Sequence, residues 1–258
     1  MKAVWYERNG PAREVLQCGD LPDPVPGTGE VLVRVHASGV NPSDWKTRSG
    51  SRPMVAPRVI PHSDGAGVIE RVGPAVDPSR VGERVWIWNG QWKRPFGTAA
   101  TYIALPSGQA VRLPNGTTFE AGACLGIPAL TAHRAVTIDV SPQGQSILVS
   151  GGAGAVGHYA IQFAKLLGAR PIIATVSSDE KAEHAKAAGR RRRGHQLQSG
   201  RRSGSGPADY RRSRRRSHRR SGYRRECCAR PEDHCARWAL RGLRFKPLRI
   251  IGPKSKQA

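Results

Sequence analysis

The run Glu30-Val31-Leu32-Val33-Arg34-Val35-His36-Ala37 alternates apolar and polar positions, the period of a strand with one buried face. Residues 67–73 and 81–88 read as further short strands. Gly and Pro punctuate the region, at Pro22, Pro24, Pro26, Gly27, Gly29, Gly39, Pro42 and Gly50. Residues 1–116 therefore predict a small β-rich barrel or sandwich with loops, not a parallel sheet.

The period changes near residue 117. Thr117 or Thr118 is placed to cap a helix through residues 120–123, and a second helical stretch follows Pro128. Ser146–Ser150 reads as a buried strand. Residues 155–167 then place Val156, Ala160, Ile161, Phe163, Ala164 and Leu167 at helical spacing, with Gly168 as the stop. A second strand over 171–176 and a second helix over 179–188 complete a βαβ unit, whose strands must run parallel.

Charge divides the chain again. The 258 residues carry 42 Lys and Arg against 19 Asp and Glu, a net charge of +23. Residues 190–258 hold 23 of those bases and 4 of those acids, so residues 1–189 have the charge balance of an ordinary soluble protein. No apolar run approaches the ~20 residues of a membrane span, and the N-terminus has no apolar signal core. Cys18 and Cys124 are far apart, which argues against a disulfide scaffold and for a reducing cytoplasm.

The chemistry is concentrated in Gly151-Gly152-Ala153-Gly154-Ala155-Val156-Gly157, directly after the first strand of the βαβ unit. Gly152, Gly154 and Gly157 form G-x-G-x-x-G, a weak pattern alone but specific between a strand and a helix. The first Gly is expected to permit the tight turn, the second to let backbone approach a pyrophosphate, and the third to let helix and strand pack closely. The helix N-terminus offers free N–H groups to the phosphates. At the end of the second strand, NAD sites usually carry an acid for the ribose; here Val176 is followed by Ser177 and Ser178, with Lys181 one turn on. Hydroxyls and a cation suit a 2′-phosphate, so NADPH is expected over NADH, although Asp179 and Glu180 are adjacent and Lys181 also fits a solvated helix face.

A β-rich domain followed by this nucleotide unit resembles the medium-chain dehydrogenase/reductase superfamily, within it the zeta-crystallin-like NADPH:quinone oxidoreductases. The resemblance rests on residues 39–50 (Gly-Val-Asn-Pro-Ser-Asp-Trp-Lys-Thr-Arg-Ser-Gly), 62–69 (His-Ser-Asp-Gly-Ala-Gly-Val-Ile), 125–132 (Leu-Gly-Ile-Pro-Ala-Leu-Thr-Ala) and the glycine run. It implies an α/β chain: a GroES-like catalytic (substrate) domain over 1–116 and a partial Rossmann, doubly wound NADPH-binding domain over 117–189. It implies hydride transfer from NADPH to a quinone or activated enone, with protons taken from solvent. The zinc-dependent alcohol dehydrogenases carry a Cys where this chain has Asn41 and a His where it has Ser63, so no zinc is expected. Cys124 reads as a buried structural cysteine rather than a ligand or nucleophile. By resemblance Asn41 lies near nicotinamide and substrate, and Thr131 beside the nicotinamide. Asn-Pro also starts turns, and Thr131 also suits a packed helix. Trp45 and Lys46 are assigned to the substrate pocket; Lys46 stands where relatives often carry a Tyr. Trp45, Trp86, Trp88 and Trp92 offer flat faces to a quinone, with two or more of them expected in the core.

The resemblance stops at Gly189, before Arg190-Arg191-Arg192-Arg193. Residues 190–258 then read either as a disordered arginine-rich arm for nucleic-acid phosphates, a non-enzymatic alternative, or as a frameshifted segment. Sliding the codons of residues 194–198 by one base admits valine, isoleucine, asparagine, tyrosine, the expected next strand of the family; residues 233–245 slide to a later turn and strand in the same way. On that reading the tail is aberrant and binds nucleic acid only non-specifically. Strands flanking the glycine loop are lost, an apolar sheet edge is left open, and the surface through which relatives often form homo-oligomers is missing. NADPH binding and activity of this chain are then expected to be weak.

Overall fold

Strands β1 (Lys2–Trp5) and β2 (Gln17–Asp20) pair antiparallel, with the short helix α1 (Ala12–Val15) between them. The long strand β3 (Glu30–Gly39) leads into α2 (Pro42–Lys46), then β4 (Asp64–Val72), β5 (Arg84–Ile87), β6 (Tyr102–Pro106) and β7 (Ala110–Arg112). These five strands form an antiparallel sheet in the order β6-β3-β4-β5-β7. Val31 and Val33 of β3 pack with Ile69, Val85, Ile87, Ile103 and Leu105 in a buried cluster, but Leu32 between them is buried as well, so the expected alternation with one solvent-facing side holds only from Arg34 onward. Pairing of β3 with β4 shifts register twice, at Leu32/Val33 and Val35/Ala37, and such bulges re-aim a strand end. Here that end carries Gly39 and the turn into α2.

Helix α3 (Phe119–Ala123) is capped by Thr118, whose Oγ1 accepts the Ala121 N–H at 3.2 Å. Helix α4 (Gly126–Thr137) begins before Pro128 rather than after it. A proline in the first helical turn costs no hydrogen bond, because those N–H groups have no intrahelical acceptor. Next come β8 (Ser146–Ser150), α5 (Ala155–Leu166), β9 (Ile172–Val176) and α6 (Asp179–Gly189). β8 and β9 are parallel, as a βαβ unit requires. Ile161 and Ala164 of α5 lie fully buried with Ile147, Val149, Ala174 and Ala185. Gly168 follows α5 with φ 82°.

In this computed structural model residues 1–139, 141–189, 198–201 and 249–251 are described. The chain divides into two compact units within α4, between Leu130 and Thr131. Residues 117–130, expected to open the second domain, pack on the first sheet: Ala123 is buried with Ala66 and Leu113, and Phe119, Leu125 and Trp86 close over them.

The disorder expected for 190–258 falls outside the described residues except at two strands. β10 (Gln198–Arg201) extends the second sheet in parallel beside β9, and β11 (Arg249–Ile251) pairs antiparallel with β8, giving the order β10-β9-β8-β11. These two segments depart from the expectation: both edges of the β8–β9 pair are hydrogen-bonded. Backbone pairing needs no particular side chain, which is how an arginine-rich segment completes a ladder. Among the described residues, no helix is long and apolar enough to cross a membrane.

Candidate functional site

Two groups of residues carry the candidate chemistry, one in each unit. In the first unit β3 ends at Gly39, and Asn41 turns the chain into α2 with Pro42 at the first helical position. The Asp44 carboxylate accepts the backbone N–H of Asn41 at 2.7 Å. The spacing Asn-x-x-Asp is that of a helix cap closed by an acid at its third position. Asn41, Asp44 and Asp64 are all buried polar side chains. Asp64, at the start of β4, accepts at Oδ2 from Asn41 Nδ2 at 2.8 Å and from the Ile127 amide at 2.7 Å. Its Oδ1 is buried with no partner among the described residues. Thr98 Oγ1 donates to the Asp64 carbonyl at 2.6 Å. Ser38 Oγ lies 2.9 Å from both Thr98 Oγ1 and His62 Nδ1.

Burial pushes the Asp64 carboxyl up to about 7, against the stabilising Ile127 and Asn41 hydrogen bonds and with the charge of Asp44 adding to the rise. Burial likewise pushes Asp44 up to about 6, opposed by the Asn41 amide and the Ser43 hydroxyl. Burial holds His62 below the usual imidazole range. The cluster is a desolvated polar knot around one amide, with no compensating cation bonded to either carboxylate among the described residues.

Trp45 stands half-exposed on α2 with the Lys46 ammonium 5.8 Å from its ring centre. Of the other tryptophans, Trp86 packs on the Ala66–Leu113 cluster, and Trp88 donates Nε1–H to the Gly108 carbonyl at 3.2 Å. Cys124 is exposed at the C-cap of α3, not buried as expected, because the helix ends there and its buried face is taken by Gly122 and Ala123. Asp44 and Asp64 had no role assigned from sequence. The cap spacing was a signal for the first. For the second the only sign is an acid placed at the start of an apolar strand.

In the second unit the glycine run turns sharply between β8 and α5. Gly151 has φ 74°, so the left-handed turn residue is Gly151 and not Gly152. Gly152 is confined instead by packing: an added Cβ would lie 2.7 Å from the Ala174 Cβ. At Gly157 a Cβ would overlap the Gly151 carbonyl oxygen, the close helix–strand approach expected of the third glycine. Gly154, the N-cap of α5, has only that oxygen within reach, at 3.4 Å, and is otherwise open. Beyond it the amides of Ala155, Val156 and Gly157 form the first helical turn, where N–H groups have no intrahelical acceptor. Ala153 completes the turn. Among the described residues nothing else crowds Gly154, and an amide-lined helix mouth of this kind fits a dinucleotide's pyrophosphate.

At the end of β9, Lys181 Nζ donates to Ser177 Oγ at 2.9 Å, and Ser178 Oγ caps α6 by accepting the Lys181 N–H at 3.3 Å. The ammonium is therefore folded back onto Ser177 while the side chain stays exposed. Thr131 is half-buried on α4 in the same unit.

Residues 27–115 match the model of the alcohol dehydrogenase GroES-like domain. The chain is 38% identical over 185 residues to the human quinone oxidoreductase, which covers 70% of this chain and 54% of that protein. Its fold matches a quinone oxidoreductase from Pseudomonas syringae at TM-score 0.65 and 38% identity, covering 73% of this chain and 56% of that one. A mycobacterial structure complexed with NADPH matches at TM-score 0.63 and 34% identity, over 73% and 57%. The chain belongs to the medium-chain dehydrogenase/reductase superfamily and is similar to its quinone oxidoreductases. It spans about half the length of the curated relatives it matches. Within this superfamily the GroES-like domain accounts for the antiparallel sheet and for Asn41, and the partial doubly wound domain for β8–α5–β9–α6.

Proposed function

We propose that this chain is a zinc-independent oxidoreductase that passes hydride from NADPH to a quinone or an activated enone, with the unit ending at Leu130 as its substrate domain and the unit beginning at Thr131 as its nucleotide domain. The observation that carries the reading is the second unit's cradle: an open helix mouth at Gly154–Gly157 and a cation paired to serine at the strand end where a 2′-phosphate is read. NADPH, when bound, supplies the hydride. The residues do the rest. The amides of Ala155, Val156 and Gly157 receive the pyrophosphate, with Gly151, Gly152 and Ala153 shaping the turn. Ser177, Ser178 and Lys181 receive the 2′-phosphate and so favour NADPH over NADH. By resemblance Thr131, in the second unit, is assigned to the nicotinamide, and Asn41, Trp45 and Lys46, in the first, are assigned to the acceptor. Zinc independence is supported by the donor set: an amide at Asn41 committed to Asp64 and a hydroxyl at Ser63 do not replace a thiolate and an imidazole. We also place the protein in the cytoplasm.

Purified protein is titrated with NADPH and NADH by coenzyme fluorescence, then assayed for quinone-dependent NADPH oxidation. Tighter binding of NADPH than NADH, with turnover, supports the reading. Equal affinity for both coenzymes, or none, overturns it.

A further inference from the structure

We propose that Asp64 is a positioning residue that turns the Asn41 carboxamide so that its carbonyl oxygen, rather than its amino group, is presented to the ligand. The proposal rests on the function given above and concerns the first unit only. Asp64 Oδ2 receives two donors at once, Asn41 Nδ2 at 2.8 Å and the Ile127 amide at 2.7 Å. The carboxylate itself is immobilised: Thr98 Oγ1 holds its backbone carbonyl, and Gly126 lies so close to Oδ1 that a Cβ there would overlap it. On the other side Asp44 Oδ2 holds the Asn41 backbone N–H at 2.7 Å, so the amide has a fixed base as well as a fixed tip.

An amide meets a carboxylate through N–H. Flipping it would set two acceptor oxygens against each other at hydrogen-bond distance inside a buried site. Asn41 is therefore locked with Nδ2 toward Asp64 and Oδ1 on the side of the Asp44 backbone N–H, its capping-box partner at the start of α2, which leaves one lone pair for a ligand. A bound coenzyme or acceptor would have to bring a hydrogen-bond donor to Asn41, as a nicotinamide amide, a ribose hydroxyl or a quinol hydroxyl can. A bare quinone carbonyl would find no amino group in that direction. The raised Asp64 carboxyl, at about 7, gives the lock a signature, since neutralising it removes the repulsion that forbids the flip. Asp44 is the other ionisable group acting on Asp64, and it titrates lower, at about 6.

The test uses the full chain labelled with nitrogen-15, the Asn41 side-chain amide being assigned by its loss in Asn41→Ala. One of its two protons should resonate well downfield, move with pH around 7, and return to an ordinary position in Asp64→Asn. An Asn41 amide indifferent both to pH between 5 and 9 and to Asp64→Asn overturns the proposal. Should Asp64→Asn not fold, the pH titration of the unsubstituted chain decides alone. With NADPH and 1,4-benzoquinone, Asp64→Asn should lower kcat about tenfold, as expected for losing one charge-assisted hydrogen bond, with KM for NADPH unchanged. In an Asn41→Ala background it should change kcat no further; an equal loss in both backgrounds marks a merely structural role and overturns the proposal. An unsubstituted chain that oxidises no NADPH sinks the proposed function, while the amide titration still decides what Asp64 does.

Discussion

Alanine placed at Gly154 and at Gly157 separates a phosphate cradle from a glycine turn that serves only the fold. At Gly157 the new methyl group would overlap the Gly151 carbonyl oxygen, with the Gly151 carbonyl carbon and Gly152 Cα at 2.9 Å. All three are backbone atoms, so no flexible side chain yields. Overpacking of this kind costs roughly 1–3 kcal/mol. At a urea m-value of about 2 kcal/mol per molar, that lowers the unfolding midpoint by about 1 M. Gly154 differs: φ is −77° and the new methyl group meets one oxygen at 3.4 Å. Alanine caps a helix worse than glycine but stiffens the unfolded chain. The two effects are each about 0.5–1 kcal/mol and opposite in sign, so net stability should change by less than ~0.5 kcal/mol. The same methyl group stands where phosphate oxygens would approach the helix mouth. NADPH affinity should then drop about tenfold or more, the equivalent of ~1.4 kcal/mol. Urea unfolding and NADPH fluorescence titration of both variants give the comparison. Gly154→Ala with unaltered stability and unaltered NADPH affinity would falsify the cradle.

Lys181→Ala should weaken NADPH about tenfold while sparing NADH, because only the 2′-phosphate needs the ammonium; equal loss for both coenzymes would return Lys181 to an ordinary helix surface. Asp64 is raised in the folded state, so the fold favours its neutral form, and its ionisation removes stability as pH climbs from about 4 to about 7, by on the order of 4 kcal/mol at most. Asp44 acts in the same direction, and His62, lowered by burial, in the opposite one, so the informative quantity is the stability difference between Asp64→Asn and the unsubstituted chain. Urea midpoints should show that difference growing in favour of the variant over this window, and a difference independent of pH contradicts it. Gly126→Ala should cost more than 2 kcal/mol on the same denaturation assay, its methyl group overlapping the enclosed Asp64 carboxylate, which has nowhere to retreat; a stability within ~0.5 kcal/mol of the parent would show that Asp64 is free to move.

Local chemistry was readable from residue order. The glycine run, the Thr118 cap and the apolar spacing of α5 each act within a few residues, and all three stand where the pattern placed them. Even there the division of labour among glycines was misread, because φ at Gly151 and the contact of Gly152 with Ala174 depend on how β8 meets β9. The polar knot was not readable. Asn41 and Asp64 are 23 residues apart, and Asp64 and Ile127 are 63 apart. No periodicity links them, and only the pairing of β3 with β4 and the packing of α3 on that sheet bring them together.

Residue order by itself determined the two kinds of sheet, the parallel βαβ unit, the glycine turn between β8 and α5 and the lack of thiolate and imidazole at Asn41 and Ser63, since each follows from side-chain period or donor chemistry. Tertiary structure alone decided that the units divide inside α4, that β10 and β11 pair with the edges of β8 and β9, and that Asp64 loses its solvent and acquires Asn41. Hydrogen bonds between distant backbones and the burial of a carboxyl are set by what the fold brings near, and water is displaced only when those distant surfaces meet.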